Sequence, residues 1–343
     1  MLKWYEQEDE SSDVIISSRI RLARNLEKYP FSLRLSPKQA EELVNEVKTS
    51  LDGYQDENGR YYTYLMKEIS DLDKQAMVER HMISPLLADK KQSTALFLGE
   101  DESAGVMVNE EDHIRIQALS GGINMKDALK RANELDDMAY DKLKFAFSER
   151  YGYLTSCPTN TGTGLRASYM VFLPALAATG KIGRLSDEVS KYGVTLRGMY
   201  GEGSESSGNI YQISNQKTLG SSEGDIIDNL NNIVYQVVKQ ERKRREYILA
   251  QNYDEIEDQV YRSYGVLKYT KKINTRDAMT LLSQIKLGID AGMLKIDQPF
   301  HIYGMMMHIQ PASLQYKTGK NVGSVNRDKL RGEYINKNLP ELI

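Results

Sequence analysis

The stretch Ile15-Ile16-Ser17-Ser18-Arg19-Ile20-Arg21-Leu22-Ala23-Arg24-Asn25 decides how this chain is read. It continues a β-rich run that begins at Asp13 and then turns basic. As a strand it places Arg19 and Arg21 on one face, because side chains alternate with period two. Two guanidiniums on one side repel unless an anion lies between them. Arginine forks match phosphate oxygens bidentately, so the pair reads as a polyphosphate clamp. The competing reading is a solvated edge strand with a charged face.

Working outward, Ser36-Pro37-Lys38-Gln39 is a helix start, with Ser at the N-cap and Pro at N1, and apolar spacing continues to Leu51. Residues 74–88 read as helix, ending near Ser84-Pro85. Ala95–Gly99 and Ala104–Val108 read as paired strands. Helical periodicity runs from Met125 to Phe147, from Leu185 to Tyr192 and from Ile226 to Leu249. Residues 250–343 are helix-rich, with a strand signal only at Gly265-Val266-Leu267. Residues 1–12 are polar and acidic and predict a loose tail. A soft domain boundary is expected near 245–250, after a charged run from Lys239 to Glu246.

Three further segments carry chemistry. Asn109-Glu110-Glu111-Asp112-His113-Ile114-Arg115-Ile116-Gln117 leads an acid cluster into an alternating strand, either an acidic turn or a carboxylate held near a reacting centre with Arg115 as an anion ligand. Cys157-Pro158-Thr159-Asn160-Thr161-Gly162-Thr163-Gly164-Leu165-Arg166-Ala167-Ser168 is Gly-rich, and its glycines predict close backbone approach to a ligand. It is neither a Walker A nor a dinucleotide fingerprint. A lone cysteine is commonly a small buried hydrophobe; beside this polar loop Cys157 is a candidate thiolate. The third, Arg197-Gly198-Met199-Tyr200-Gly201-Glu202-Gly203, reads either as a surface hairpin tip or as a lid carrying Glu202. Together, Arg19, Arg21, Arg115, Arg166 and Arg197 with Glu111 and Glu202 suit phosphoryl transfer: arginines neutralise phosphates and acids orient an acceptor.

Composition narrows the class. With 343 residues the prior is about two domains. Forty-five Lys and Arg against 48 Asp and Glu give a net charge of −3, which argues against a polycation that coats nucleic acid. One cysteine cannot form an internal disulfide, and the four histidines are scattered, so neither a disulfide framework nor a zinc site is expected. No signal peptide or membrane span is read, which predicts a cytoplasmic protein.

The blocks SSRIRLARN, NEEDHIRIQ, CPTNTGTGLRAS, RGMYGEGSESSG and YQISNQ, in this order, resemble the phosphagen (guanidino) kinase family over residues 13–245. The resemblance implies an α+β fold, an antiparallel β-sheet flanked by helices. It implies ATP as phosphoryl donor, with Mg²⁺. Nucleotide would be held by Ser17, Ser18, Arg19, Ile20, Arg21, Arg115, Arg166, Ala167, Ser168, Tyr169, Met170, Arg197, Gly198, Met199, Tyr200 and Gly201, and by His81 of Val78–Pro85. Glu111 and Glu202 would grip a guanidinium beside Cys157.

The chain also departs from that family. It reaches SSR at residue 17, without the helical region and small-substrate loop that usually precede it. Thr161 stands where a hydrophobe is usual, and a C-terminal extension follows. This combination resembles the McsB-type protein-arginine kinases, whose site would admit arginine side chains of proteins. Residues 1–12 would then be a tail, 13–245 the catalytic domain, and 246–343 a helical C-terminal domain serving dimerisation and phospho-arginine sensing. Arg327-Asp328-Lys329-Leu330-Arg331-Gly332 is similar to the RDxxRA motif of a phospho-arginine pocket formed by Arg327, Asp328 and Arg331, with Gly332 in place of Ala. The competing reading is an ordinary charged helix. Implied partners are unfolded proteins and the heat-shock repressor CtsR as substrates, the activator McsA, the ClpC–ClpP protease and a second copy of the chain, with no membrane and no direct nucleic acid. The dimer has weak local support in Met305-Met306-Met307-His308. Two alternatives stay open: a kinase of a free guanidino compound such as arginine, and a catalytically silent phospho-arginine adaptor.

Overall fold

The structure is a computed structural model and describes residues 3–198 and 207–343. In chain order its elements are β1 (Ile15–Arg24), α1 (Pro37–Leu51), β2 (Gln55–Asp56), β3 (Gly59–Leu65), α2 (Asp71–Glu79), α3 (Pro85–Asp89), β4 (Ala95–Gly99), β5 (Ala104–Val108), β6 (Ile114–Gly121) and α4 (Met125–Tyr140). Next come β7 (Phe147–Ser148), β8 (Gly152–Tyr153), β9 (Leu165–Phe172), α5 (Pro174–Ala178), α6 (Ile182–Ser190), β10 (Val194–Gly198) and β11 (Ile210–Asn215). The C-terminal part is helical: α7 (Glu223–Gln251), α8 (Tyr253–Tyr269), α9 (Thr275–Asp290), α10 (Ile302–His308), α11 (Pro311–Thr318) and α12 (Ser324–Asn338).

Nine strands form one antiparallel sheet in the order β10-β11-β9-β1-β6-β5-β4-β3-β2. The expected α+β class is therefore observed, with β1 near its centre. One face carries Ile20, Leu22, Ile116, Ala118, Ala167 and Tyr169, which pack against Leu43 and Val47 of α1, Ala132 and Leu135 of α4, and Leu230 and Val234 of α7. Burial of these aliphatic chains at about 25 cal/mol per Å² is the main force on this side. Among the described residues, the other face is covered at its two ends. Met77, Met82, Ile83 and Leu87 from α2, α3 and the turn between them cover Leu96, Leu98 and Met107. Leu119, Met170, Phe172 and Ile210 pack into the C-terminal helices through Met279, Leu282, Met306 and Met307. The arginines of β1 lie between these two covers.

Local chemistry explains the helix starts. Ser36 accepts the Gln39 N–H at 3.3 Å, and the Gln39 side chain accepts the Ser36 N–H in return, a full capping box. Ser222 and Asp225 repeat it at the head of α7.

Several expectations change. Residues 3–12 are not a loose tail: Trp4 and Tyr5 are only 1% and 4% exposed, inside the C-terminal hydrophobic cluster. The helix read over 74–88 is two helices, broken where His81 adopts φ 59°, with Ser84 capping a new start at the Leu87 N–H. The helix from Met125 stops at Tyr140, after which Leu143 and Phe145 are buried in non-helical chain and Leu26 bridges Phe145. Gly265–Leu267 lies inside α8 rather than a strand. α7, one continuous 29-residue helix, runs across the soft boundary expected near 245–250 and does not decide it. Met305, Met306 and Met307 are buried core, which removes the local support they lent to a dimer surface. Among the described residues no helix is long and apolar enough to cross a membrane.

Arg24, the last basic residue of β1, is a scaffold group. Its guanidinium is 1% exposed, forks onto Asp136 at 2.7–3.1 Å, reaches the Ala23 and Thr163 carbonyls, and lies 3.6 Å over the Tyr153 ring. Asp136→Ala leaves that cation buried without its acid and is expected to cost about 3–5 kcal/mol. Urea unfolding checks this, and a loss under about 1 kcal/mol, the scale of a solvated pair, contradicts it.

Candidate active site

Strand register builds the site. Arg21 stands opposite Arg166 of β9 on one side and Gln117 of β6 on the other. One step along the same face, Arg19 pairs with Ser168; one step the other way, Ala23 pairs with Arg115. Arg197 at the end of β10 stands opposite Gln212 of β11. Directly paired residues share a face, so four strands besides β1 deliver their arginines or amides to the same surface.

The electrostatics of that surface are unfavourable on their own. Arg19 donates to Ser168 Oγ at 3.3 Å and Gln212 Oε1 at 2.6 Å, both neutral. Arg21 makes no hydrogen bond or ion pair among the described residues, and its Nε is buried without a partner. Burial first, then the Arg166 and Arg115 charges, push the Arg19 guanidinium down to about 10. Burial, then Arg19, Arg115 and Arg166, hold Arg21 well below the usual arginine value. Arginine keeps its proton in proteins, so the downward direction says that desolvation first, and the neighbouring arginine charges second, disfavour cations on this surface. Burial, then Arg19 and Arg21, push His81 down to about 3, so its imidazole is neutral at physiological pH.

The acid cluster divides into scaffold and working group. Asp112 Oδ1 accepts from Asn25 Nδ2 at 2.7 Å and the Ser156 N–H at 2.6 Å. His113 Nδ1 accepts the Leu26 N–H at 3.0 Å, and its other nitrogen contacts the Pro30 carbonyl. Glu110 is buried and binds Arg115 Nη1 at 2.7 Å, the Glu111 N–H at 2.7 Å and the Ser84 hydroxyl. Glu111 alone is open: its side chain is 37% exposed, against 1% for Glu110, and accepts from Arg115 Nη2 at 2.7 Å.

The Cys157 loop lies opposite. Cys157 precedes a single 3₁₀ turn, Pro158–Asn160, with its Sγ 3.1 Å from Thr159 Oγ1. Thr218 donates to the Thr159 and Thr161 carbonyls at 3.1 and 2.7 Å and holds the loop. Gly162 and Gly164 serve a different purpose from the one expected. A Cβ on Gly162 would lie 2.5 Å from the Thr218 carbonyl oxygen, and one on Gly164 2.6 Å from that of Ala23. These glycines bring backbone against backbone rather than against a ligand.

A cavity of about 830 Å³ results, lined by Arg21, Glu111, Arg115, Cys157, Asn160, Arg166, Arg197 and Lys217. A recess of about 170 Å³ shares Arg21, Arg115, Arg166 and Arg197 and adds Arg19, His81, Ser84, Gln117 and Gln212. The anion surface thus has an acid and a thiol at one end and a neutral imidazole at the other. Of the expected residues, Ile20, Ala167 and Tyr169 face the opposite core; Ser18 anchors the Gly122 carbonyl and the Asn124 N–H; Tyr169 donates to Asn231. Ser17 and Met170 are paired and buried, Met170 beneath the C-terminal helices. Ser168 acts through Arg19, and Gly198 ends β10. Met199, Tyr200, Gly201 and Glu202 lie outside the described residues. Sequence reading missed Gln117, Gln212, Asn160 and Lys217; the first two are legible as the positions that alternate with Arg115 and Ser214 on their strands.

The second candidate site sits on α12. Arg331 is buried and donates to the Ile309 and Ile273 carbonyls at 2.8 and 2.9 Å and to Asp328 at 2.7 Å. It therefore holds Asp328, which lines a separate cavity of about 540 Å³ with Lys272, Asn274 and Asp277. Arg327 is partly exposed on the same helix and is not among the residues lining that cavity. At Gly332 a Cβ would lie 3.2–3.3 Å from the backbone of residues 270–272, so the missing methyl matches a tight approach.

Known proteins agree with this geometry. Residues 42–244 match the model of the ATP:guanido phosphotransferase C-terminal catalytic domain, and residues 253–342 match the protein-arginine kinase McsB C-terminal domain. A protein-arginine kinase of Brevibacillus brevis is 42% identical over 98% of this chain and 94% of its own length; one of Bacillus licheniformis is 44% identical over 98% and 93%. A crystal structure of lombricine kinase shares the fold, with a TM-score of 0.59 at 23% identity, over 70% of this chain and 69% of that one. The chain belongs to the protein-arginine kinase family, a branch of the ATP:guanido phosphotransferases.

Proposed function

We propose that this chain transfers the γ-phosphoryl group of ATP to arginine side chains of proteins. The observation that carries this reading is Arg21: a half-buried guanidinium with its Nε buried and no ion pair among the described residues, flanked by Arg19, Arg115 and Arg166. A triphosphate supplies the missing charge, and bidentate forks fit its oxygens. The membership of the protein-arginine kinase family supports the acceptor.

In the transfer, the acceptor nitrogen of the arginine attacks the γ-phosphorus, the bond from phosphorus to the β–γ bridging oxygen breaks, and ADP leaves. The nitrogen loses one proton, which Glu111 accepts. Guanidinium is a poor nucleophile because its lone pairs are delocalised, so a carboxylate that fixes one nitrogen in line supplies orientation worth up to ~7–11 kcal/mol. Glu111 must then exchange Arg115 for the substrate, while Glu110 keeps Arg115 in place. Arg19, Arg21, Arg115, Arg166 and Arg197 stabilise charge on the equatorial oxygens. Cys157 adds a polar or anionic group beside the guanidinium, and Glu202 the second clamp. Among the described residues no cluster of three His, Cys, Asp or Glu side chains could cage a metal. A Mg²⁺ arriving with the nucleotide would supply further neutralisation of the phosphate charge.

The wider assignment extends the same reading. The marked proteins would be unfolded chains and the repressor CtsR, passed to ClpC–ClpP, with McsA as activator, a homodimeric assembly and a cytoplasmic location. Asp328, held by Arg331, would meet the guanidinium of a phospho-arginine and tune activity.

Four outcomes test it. With ATP and Mg²⁺, an unfolded basic protein acquires acid-labile phosphate on arginine while free arginine does not; the reverse result favours a small-guanidino kinase, and no transfer favours the silent adaptor. Glu111→Gln lowers the transfer rate by about 10²–10⁴-fold, whereas Cys157→Ser lowers it less; substantial activity in Glu111→Gln defeats the base assignment. Arg21→Met abolishes ATP binding yet raises unfolding stability by about 0.5–2 kcal/mol, the usual sign of a functional strain removed; a lower midpoint contradicts the strain. Asp328→Lys leaves basal transfer intact and removes its stimulation by added phospho-arginine; retained stimulation removes the pocket.

A further inference from the structure

A carboxylate joins the segment that leads to His81 to the C-terminal helices. Glu79 ends α2, and its Oε1 and Oε2 accept the Ala312 N–H at 2.9 and 3.0 Å; Oε2 also accepts the Ser313 N–H at 2.6 Å. Ala312 and Ser313 are in the first turn of α11, whose N-cap residue, Gln310, offers no side-chain bond of its own. First-turn N–H groups have no partner within their helix, and a carboxylate there also complements the helix dipole. Glu79 is thus the cap of a helix more than two hundred positions away in sequence.

The two residues after Glu79 carry this contact toward the site. Arg80 donates to both oxygens of Glu102 at 3.1–3.2 Å and lies 4.7 Å over the Tyr316 ring of α11. His81 comes next, in the left-handed backbone region at φ 59°, lining the recess with Arg19 and Arg21. A non-glycine residue keeps that conformation only where its surroundings fix it. Here the His81 carbonyl accepts from Gln117 at 2.7 Å, and the Trp4 ring stands edge-on at 6.0 Å. Just before α11, the Ile309 carbonyl accepts from Arg331, which holds Asp328. Hydrogen bonds and short chain segments therefore connect the Asp328 corner to the His81 turn, with Glu79 as the link between the two helices.

We propose that Glu79 is a positioning residue for the nucleotide: by capping α11 it fixes the His81 turn at the edge of the arginine surface. The proposal rests on reading that surface as the ATP site. It is specific to the C-terminal helical part, since Glu79 spends its carboxylate on α11 rather than on any group of the sheet.

The test is an ATP titration of the full chain followed by Trp4 fluorescence, the chain having a single tryptophan, and by calorimetry. Glu79→Ala is expected to raise the Kd and KM for ATP about tenfold, the scale of one lost helix cap, with kcat at saturating ATP little changed. Glu79→Gln, which keeps one accepting oxygen, should rescue binding to within about threefold. A folded Glu79→Ala protein with a lower unfolding midpoint but an unchanged Kd overturns the proposal, because a merely structural cap would do that. Should Glu79→Ala fail to fold, Glu79→Asp decides: its carboxylate sits one methylene short, and an unaltered Kd again overturns it. Wild-type protein that does not bind ATP removes the nucleotide reading itself, a result distinct from binding that ignores Glu79.

Discussion

Repulsion between Arg19 and Arg21, with Arg166 across from Arg21, is the constraint around which the rest of the structure is arranged. Like charges directly opposite on a sheet are destabilising, and partial withdrawal from water adds to that cost. The fold holds them because the other face of the same strands is a continuous aliphatic layer under α1, α4 and α7. Each strand thus opposes one alternate set of residues to the other: Ile20, Leu22, Ala167 and Ile116 hold the sheet, and Arg19, Arg21, Arg166 and Arg115 strain it. On the proposed function, an anion with several oxygens would relieve this strain, and selectivity for polyphosphate would come from the same repulsion that costs stability.

The groups that surround the arginines are mostly scaffold, and the motifs mix the two roles. In the first motif Arg19 and Arg21 face the cavity, while Arg24 is locked to Asp136 and Asn25 ties together the acid loop and the Leu154 carbonyl. In the second, Asp112 and His113 are consumed by backbone contacts, Glu110 by Arg115, and Glu111 keeps an accessible carboxylate. In the third, two glycines close the loop onto β1 and onto Thr218, which leaves Cys157 and Asn160 at the cavity. A short run of sequence therefore supplies both a group that faces the cavity and the bonds that hold its neighbours still.

Much of this was legible before the fold was known, and the reasons for the rest are physical. Alternation placed Arg19 and Arg21 together, and the Ser36-Pro37 start of α1 came from capping chemistry alone. Register across five strands is a long-range property, so Gln117 and Gln212 were not read as neighbours of Arg19 and Arg21. Consecutive residues such as Ile20, Ala167 and Tyr169 were assigned to the nucleotide because a motif was read as a block; the pleat sends them to the core. The His81 break in 74–88 leaves no local signal, since a left-handed histidine is enforced from outside by Gln117 and by the capped α11. Trp4 and Tyr5 looked like tail because their partners, Met305 to Met307, are about three hundred residues on.

The central claim, that a half-buried arginine surface is built to be neutralised by a polyphosphate, is tested most directly by the unfolding midpoint of the wild-type chain measured against nucleotide concentration. A ligand that binds only the folded state stabilises it by about 2.7 kcal/mol at about one hundred times its Kd. The account predicts that the midpoint rises steadily with ATP and much less with AMP at equal concentration, because the γ- and β-phosphates meet Arg21 and the guanidiniums beside it. An unchanged midpoint in ATP, or an equal rise with AMP, would contradict it.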